Sequence, residues 1–161
     1  LNLTALAIAG LTAGVCQANE IIPIETDNTA LVYTVGDDGR LYQSYFGKKL
    51  SDSSEYASLP QSKKEAYLTH GMEDYFEPAL HINRKASPNS STLLKYKEHQ
   101  TIDRDGYKET VITLQDPKFA DEVKIHVAAF GPENVYKEWT EITNNEKQPV
   151  ELEKYICLEQ D

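Results

Sequence analysis

Cysteine, methionine, tryptophan and positive charge are all scarce in this sequence. The 161 residues include two cysteines, Cys16 and Cys157, one methionine and one tryptophan. Neither cysteine has a neighbour at metal-ligand spacing, so no zinc site is expected. The histidines His70, His81, His99 and His126 lie far apart, without the HxH or HxxxH spacing of a metal-binding strand or helix. Lys and Arg total 16 against 26 Asp and Glu, for a formal net charge of −10. That sign argues against nucleic acid and anionic lipid as partners, because neither offers a cation to the protein. A Gly-x-Ser-x-Gly elbow is missing, and no glycine-rich phosphate cradle follows a strand. These absences leave no cofactor, no metal and no nucleophilic machinery to expect.

The first residues are of different material from the rest. Residues 1–15 carry no charge. Such a run is short for a membrane span but suits the apolar region of a secretory signal. Cys16-Gln17-Ala18 then places small residues at the two positions a signal peptidase reads. The expectation is a signal peptide at 1–18, truncated at its start, and a mature domain at 19–161 exported to the periplasm or beyond. A lipoprotein anchor on Cys16 is the alternative, weakened by the bulk of Val15. Cleavage would leave Cys157 without a disulfide partner, as a small core residue beside Ile156.

From Asn19 onward, short alternating runs are separated by turn residues. That pattern, with ten tyrosines, predicts an all-β antiparallel sandwich. Residues 29–35 and 40–46 flank Gly36-Asp37-Asp38-Gly39, a hairpin signal. Residues 92–102 and 107–114 flank Asp103-Arg104-Asp105-Gly106, a second. In residues 122–130, Val123, Ile125 and Val127 take one face, and Lys124 and His126 the other, where His126 is expected to be solvated. Residues 135–143 and 149–158 flank Asn144-Asn145-Glu146-Lys147-Gln148 and predict a third hairpin. Its second arm alternates Val150, Leu152 and Ile156 with Glu151 and Glu153.

Residues 51–70 break the rhythm with a polar excursion that has room for one short helical turn. It delivers the chain to residues 71–80, where Glu73, Asp74 and Glu77 crowd Tyr75 and Phe76 before Pro78. Neither period fits, so this is a shaped loop, and loops carry function more often than the elements they join. Carboxylates beside flat rings suit a polyol, since carboxylates accept hydroxyl hydrogen bonds and a ring packs on the C–H face of a sugar. The competing reading is an acidic surface loop with its aromatics tucked into the core. Asp74 and Glu77 do not make a hydrolytic pair, because one loop rarely holds both sides of a cleavage site and nothing local separates their pKa values.

Several segments taken in order resemble the amino-terminal domain of glycoside hydrolase family 36, the α-galactosidase family. They are Thr29-Ala30-Leu31-Val32-Tyr33, the run from Gly39 to Gly47, the run from Asp74 to Leu80, Glu138-Trp139-Thr140-Glu141-Ile142-Thr143-Asn144, and the run from Pro149 to Tyr155. The resemblance implies a supersandwich-like β-domain ahead of a (β/α)8 barrel that these residues do not contain. It implies retaining hydrolysis of terminal α-galactosides by aspartates of that barrel, so no catalytic residue is expected in this chain. The implied partners are an α-galactoside, the barrel and, as in tetrameric members, further copies of the protein.

In similar proteins the loop matching Asp74 approaches a sugar pocket, its own or a neighbouring subunit's. Asp74, Tyr75 and Phe76 are therefore the implied substrate-binding residues, although many relatives carry arginine at the position of Phe76. Trp139 is expected to anchor the core, with a sugar platform as its second reading. The rival to the enzyme-domain reading is a free-standing periplasmic carbohydrate-binding sandwich. A structural exported β-domain is the third.

Overall fold

The computed structural model describes residues 20–60, 62, 64–72, 76–85, 87 and 91–156. The segments read as a signal, together with Asp74, Tyr75 and Cys157, lie outside the described residues.

Among the described residues, nine strands form three antiparallel sheets, and the sandwich expected from the alternation is present. Strands β1 (Ile21–Glu25), β2 (Thr29–Val35) and β3 (Leu41–Lys48) make one sheet in chain order. A 3-10 turn, Ser53–Ser58, follows, with Asp52 accepting from the Ser54 N–H as its cap. Strand β4 (Leu80–Asn83) comes next, then the long meander β5 (Lys95–Arg104), β6 (Tyr107–Gln115), β7 (Glu122–Phe130) and β8 (Val135–Thr143). Strand β9 (Glu151–Tyr155) pairs with β4.

The first two hairpins form where the turn residues place them. In the first, Gly36 N–H bonds to Arg40 O at 2.9 Å, and the Asp38 carboxylate receives both the Arg40 N–H and the Tyr42 hydroxyl. In the second, Arg104 pairs with Tyr107 across Asp105-Gly106. Gly106 sits at φ +84°, a left-handed conformation that costs other residues about 1–2 kcal/mol.

The core lies between the four-stranded sheet and the other two. Ile112, Leu114, Val123, Ile125 and Val127 face Ile22, Ile24, Leu31, Tyr33, Leu80 and Ile82, all almost fully buried. Each such aliphatic side chain contributes on the order of 1.5–3 kcal/mol by leaving water. The two layers are also bonded directly. Tyr33 Oη donates to Glu138 at 3.0 Å, and Tyr136 Oη to Ile24 O at 3.2 Å. On the opposite face of the first sheet, Ala30 and Val32 pack with Tyr56 of the 3-10 turn. This explains why residues 30–33 are apolar without interruption: β2 is covered on both faces.

The third hairpin does not form. Residues 144–150 carry the chain across the sandwich, and β9 pairs antiparallel with β4, Leu80 opposite Tyr155 and Ile82 opposite Leu152. The connection is folded on itself by Asn144, which bonds Gln148 O and the Glu146 N–H. Glu146 then accepts from the buried Arg84 just past β4. That long-range ion pair takes the strand to β4, where a short β8–β9 turn would have kept it beside β8. A register shift between His81 and Ile82 also breaks the expected alternation of β9. Leu152 and Tyr155 are left 46% and 45% exposed.

Two further expectations are corrected on the outer face of the four-stranded sheet. His126 does point away from the core, as its parity requires, but it is only 8% exposed. Its cross-strand neighbours cover it: its ring stacks on Trp139, and Nδ1 meets Glu109. Trp139, its register partner on β8, is half-buried on this outer face and takes no part in the central core.

Candidate functional site

The loop singled out from the sequence is pinned at both ends by main-chain bonds. Ala79 N–H bonds to Leu68 O at 2.9 Å and His70 N–H to Leu80 O at 2.9 Å. Thr92 N–H reaches His70 O at 3.3 Å, and Ile156 N–H reaches Ala79 O at 2.9 Å. The loop therefore leaves and re-enters the fold at one point, on the β4–β9 sheet. Tyr67, Thr69 and Leu80 are buried beneath it, and Thr69 Oγ1 donates to Thr92 O. These polar bonds satisfy backbone groups that the irregular chain path would otherwise leave buried and unpaired.

Gly71 makes the departure possible. Its φ is +88°, and a Cβ there would collide with the Ser91 side chain. Both backbone conformation and space require glycine at this position. Met72 N–H then closes a turn on Thr69 O at 3.4 Å.

Of the three residues expected to bind substrate, Phe76 alone is described, and it is 72% exposed. It does not tuck into the core, which counts against the competing reading for Phe76, while Tyr75 lies outside the described residues. Beside it, Glu77 pairs with Lys154 of β9. At the base of the loop the rings of His70 and His81 stack with centroids 3.9 Å apart, and His81 Nδ1 lies 3.1 Å from Glu153 Oε2. Asn83 Nδ2 donates to the same carboxylate group at 2.6 Å. The described surroundings thus hold carboxylates, two imidazoles and the exposed rings of Phe76 and Tyr155.

The anchor below this region was not singled out from the sequence. Arg84, 3% exposed, bonds to Asp121, to Glu146 Oε1 at 2.7 Å and to Thr92 Oγ1 at 3.2 Å, and its guanidinium lies 3.8 Å from the centre of the Phe119 ring. Burial pushes the Asp121 carboxyl above its ordinary range even against the pull of Arg84, and its Oδ1 has no hydrogen-bond partner. Asp116 caps the same corner, accepting from the N–H groups of Leu93, Lys118 and Phe119. An arginine directly after an alternating Leu-His-Ile-Asn run was the available signal, but nothing local shows which carboxylates would find it.

A cleft of about 400 Å³ opens elsewhere, between the β1–β2 and β5–β6 turns, with Glu25, Asp27, Lys49, Arg104 and Lys108 among its walls. Its charges are of mixed sign, and Phe76 is not part of it. Among the described residues, no group of three or more His, Cys, Asp or Glu side chains could hold a metal ion.

This architecture has known counterparts. A family model described as the glycosyl hydrolase family 36 N-terminal domain matches residues 39–161. The chain belongs to that family. Among solved structures, the α-galactosidase AgaA A355E from Geobacillus stearothermophilus, in complex with 1-deoxygalactonojirimycin, superposes with a TM-score of 0.74 at 16% identity. That likeness covers 86% of this chain and 24% of the other. The α-galactosidase from Lactobacillus brevis gives a TM-score of 0.73 at 17% identity, over 91% of this chain and 24% of its own. The galactosidase domain of the α-galactosidase-sucrose kinase AgaSK gives 0.73 at 19%, over 86% and 24%. At such identities these likenesses speak for the fold. No curated protein matches by sequence. The chain spans about a quarter of the length of these solved structures.

Proposed function

We infer that this chain is the non-catalytic amino-terminal domain of an exported α-galactosidase, with retaining hydrolysis of terminal α-galactosides carried out by a barrel elsewhere in the protein. The observation that carries this reading is the family 36 N-terminal match over residues 39–161, joined to a fold shared with α-galactosidases about four times as long. The domain's work is to pack on the barrel, to complete the rim of the sugar pocket and to support subunit packing. The loop at residues 71–80 is its contact with substrate: Asp74 accepts hydrogen bonds from sugar hydroxyls, and Tyr75 or Phe76 walls the pocket. The exposed Phe76 and the main-chain pinning of the loop support that role. The apolar, uncharged residues 1–15 support export.

One pair of assays tests the reading. Residues 19–161 alone release no p-nitrophenol from the α-galactoside substrate, and turnover above a blank overturns the assignment of chemistry to the barrel. In the full-length enzyme, Asp74→Ala lowers galactoside turnover about ten- to a hundredfold, the equivalent of one lost hydrogen bond to a charged group at roughly 1.5–3 kcal/mol, while the melting temperature stays put. Unchanged kinetics would remove the loop from the substrate site.

A further inference from the structure

The outer face of the four-stranded sheet holds a charged cluster for which the proposed function has no use. His126 is at its centre. Its Nδ1 lies 2.8 Å from Glu109 Oε1, and Glu109 Oε2 accepts from Arg104 Nε at 2.7 Å. Its ring stacks on Trp139 with centroids 4.8 Å apart and planes 13° from parallel. On its far side Nε2 lies 3.6 Å from Glu141 Oε1, buried and without a hydrogen-bond partner. The other charges facing this cluster are Lys124 on β7, 3.7 Å from Glu122, and Lys137 on β8, 5.8 Å from the centre of the Trp139 ring.

The two protonation states of the imidazole fit this setting differently. In the neutral ring Nδ1–H donates to Glu109, which leaves the Nε2 lone pair buried and turned toward a carboxylate. An acceptor facing an acceptor out of water is unfavourable. In the charged ring Nε2–H becomes a donor to Glu141, and one cation then bridges a carboxylate on β6 and another on β8. Its positive ring also lies against the π face of Trp139.

We propose that His126 is a proton-operated clasp that ties edge strand β8 to β6 across β7, closed when the imidazole is charged and slack when it is neutral. Strand β8 is where such a device matters, since among the described residues its one strand partner is β7. Acid is the operating signal, because a proton on Nε2 is what turns the unpartnered acceptor into a donor toward Glu141. An exported protein meets such changes of pH directly.

Trp139 is the only tryptophan of the chain, so its fluorescence reads the ring stacked on it. A charged imidazole quenches a stacked indole far more than a neutral one. Titrated from pH 8 to pH 5.5, the emission of the 161-residue chain should fall in one step, and His126→Gln should abolish the step. A flat wild-type profile, or an equal step in the variant, overturns the proposal. Glu141→Ala, at a side chain 58% exposed, tests the second jaw without threatening the fold. The melting-temperature advantage of wild type over this variant should be within about 1 °C at pH 8 and widen to about 2–4 °C at pH 5.5. An advantage that fails to widen toward acid pH would show that Glu141 is no part of a clasp.

Discussion

The four-stranded sheet and the β4–β9 sheet are both antiparallel and both bury Ile or Leu on one face, yet they are assembled on opposite terms. Strands β5 to β8 follow one another in the chain, each pairing with the next, and each is nine residues long or more. Strands β4 and β9 are four and five residues long and meet across a separation of nearly seventy residues, with a register shift between them. The first sheet is held by local turns and continuous apolar alternation. The second is held by what surrounds it: the Arg84 ion pairs, the main-chain bonds of Ala79 and Ile156, and Leu80 and Ile82 beneath. A strand pair that depends on distant anchors should fail first when an anchor is removed, and the proposed substrate loop hangs from that pair.

The largest effect is expected from Asp121→Ala. It leaves the buried Arg84 with Glu146 as its remaining carboxylate, and breaking a buried pair costs about 3–5 kcal/mol. Denaturant unfolding should register that loss. Native-state hydrogen exchange should show it concentrated in β4 and β9, with β6 and β7 keeping most of their protection. Equal loss in all strands would mean that the two sheets unfold as one unit.

A glycine pair sharpens the contrast at lower cost. Gly106→Ala meets nothing within 4 Å, so it should cost about 1–2 kcal/mol from positive φ alone. Gly71→Ala carries the same strain plus the collision with Ser91 and should cost more, read as the difference between the two unfolding midpoints. If the two substitutions cost the same, the loop departure is looser than its main-chain bonds indicate.

The smallest effect is a pH dependence confined to the large sheet. The hydrogen bond from His126, with help from Arg104, holds the Glu109 carboxyl below its ordinary range in spite of burial. A depressed folded value means that the native state favours the carboxylate. This contribution is therefore present above the unfolded value of about 4.3 and is lost as pH falls through the folded value. Glu109→Gln should thus flatten the acid limb of the stability curve below about pH 4. An acid limb unchanged from wild type would show that other carboxylates account for it.

The hairpins at residues 36–39 and 103–106 could be read directly, because a turn residue acts on its immediate neighbours. The same reasoning failed at residues 144–148, where the turn-like composition is real. Asn144 does fold the connection, but its neighbour Glu146 answers to an arginine sixty-two residues earlier in the chain. His126 shows the limit of parity. Alternation places it on the outer face correctly, yet whether that face is wet at His126 depends on Glu109 and Trp139 arriving from adjacent strands. The candidate loop was visible as a composition of carboxylates and aromatics, and Phe76 is exposed at its described end. Its pinning by residues 68, 70, 79 and 156 had no local signal.

The sequence by itself determined that this is an antiparallel all-β chain of the glycosyl hydrolase family 36 N-terminal kind, which face of β7 is apolar and where two tight turns fall. The all-β class, the apolar face and the turns follow from side-chain period and from glycine and aspartate at fixed positions, interactions within a few residues. The family is legible only from segments matched in order along the chain. Tertiary structure alone decided that β9 joins β4, that Arg84 anchors that junction, and that His126 and Trp139 share a stack on the outer face. Each of these rests on a charge or ring meeting a partner from a distant part of the chain. No short window of sequence contains both members of such a pair.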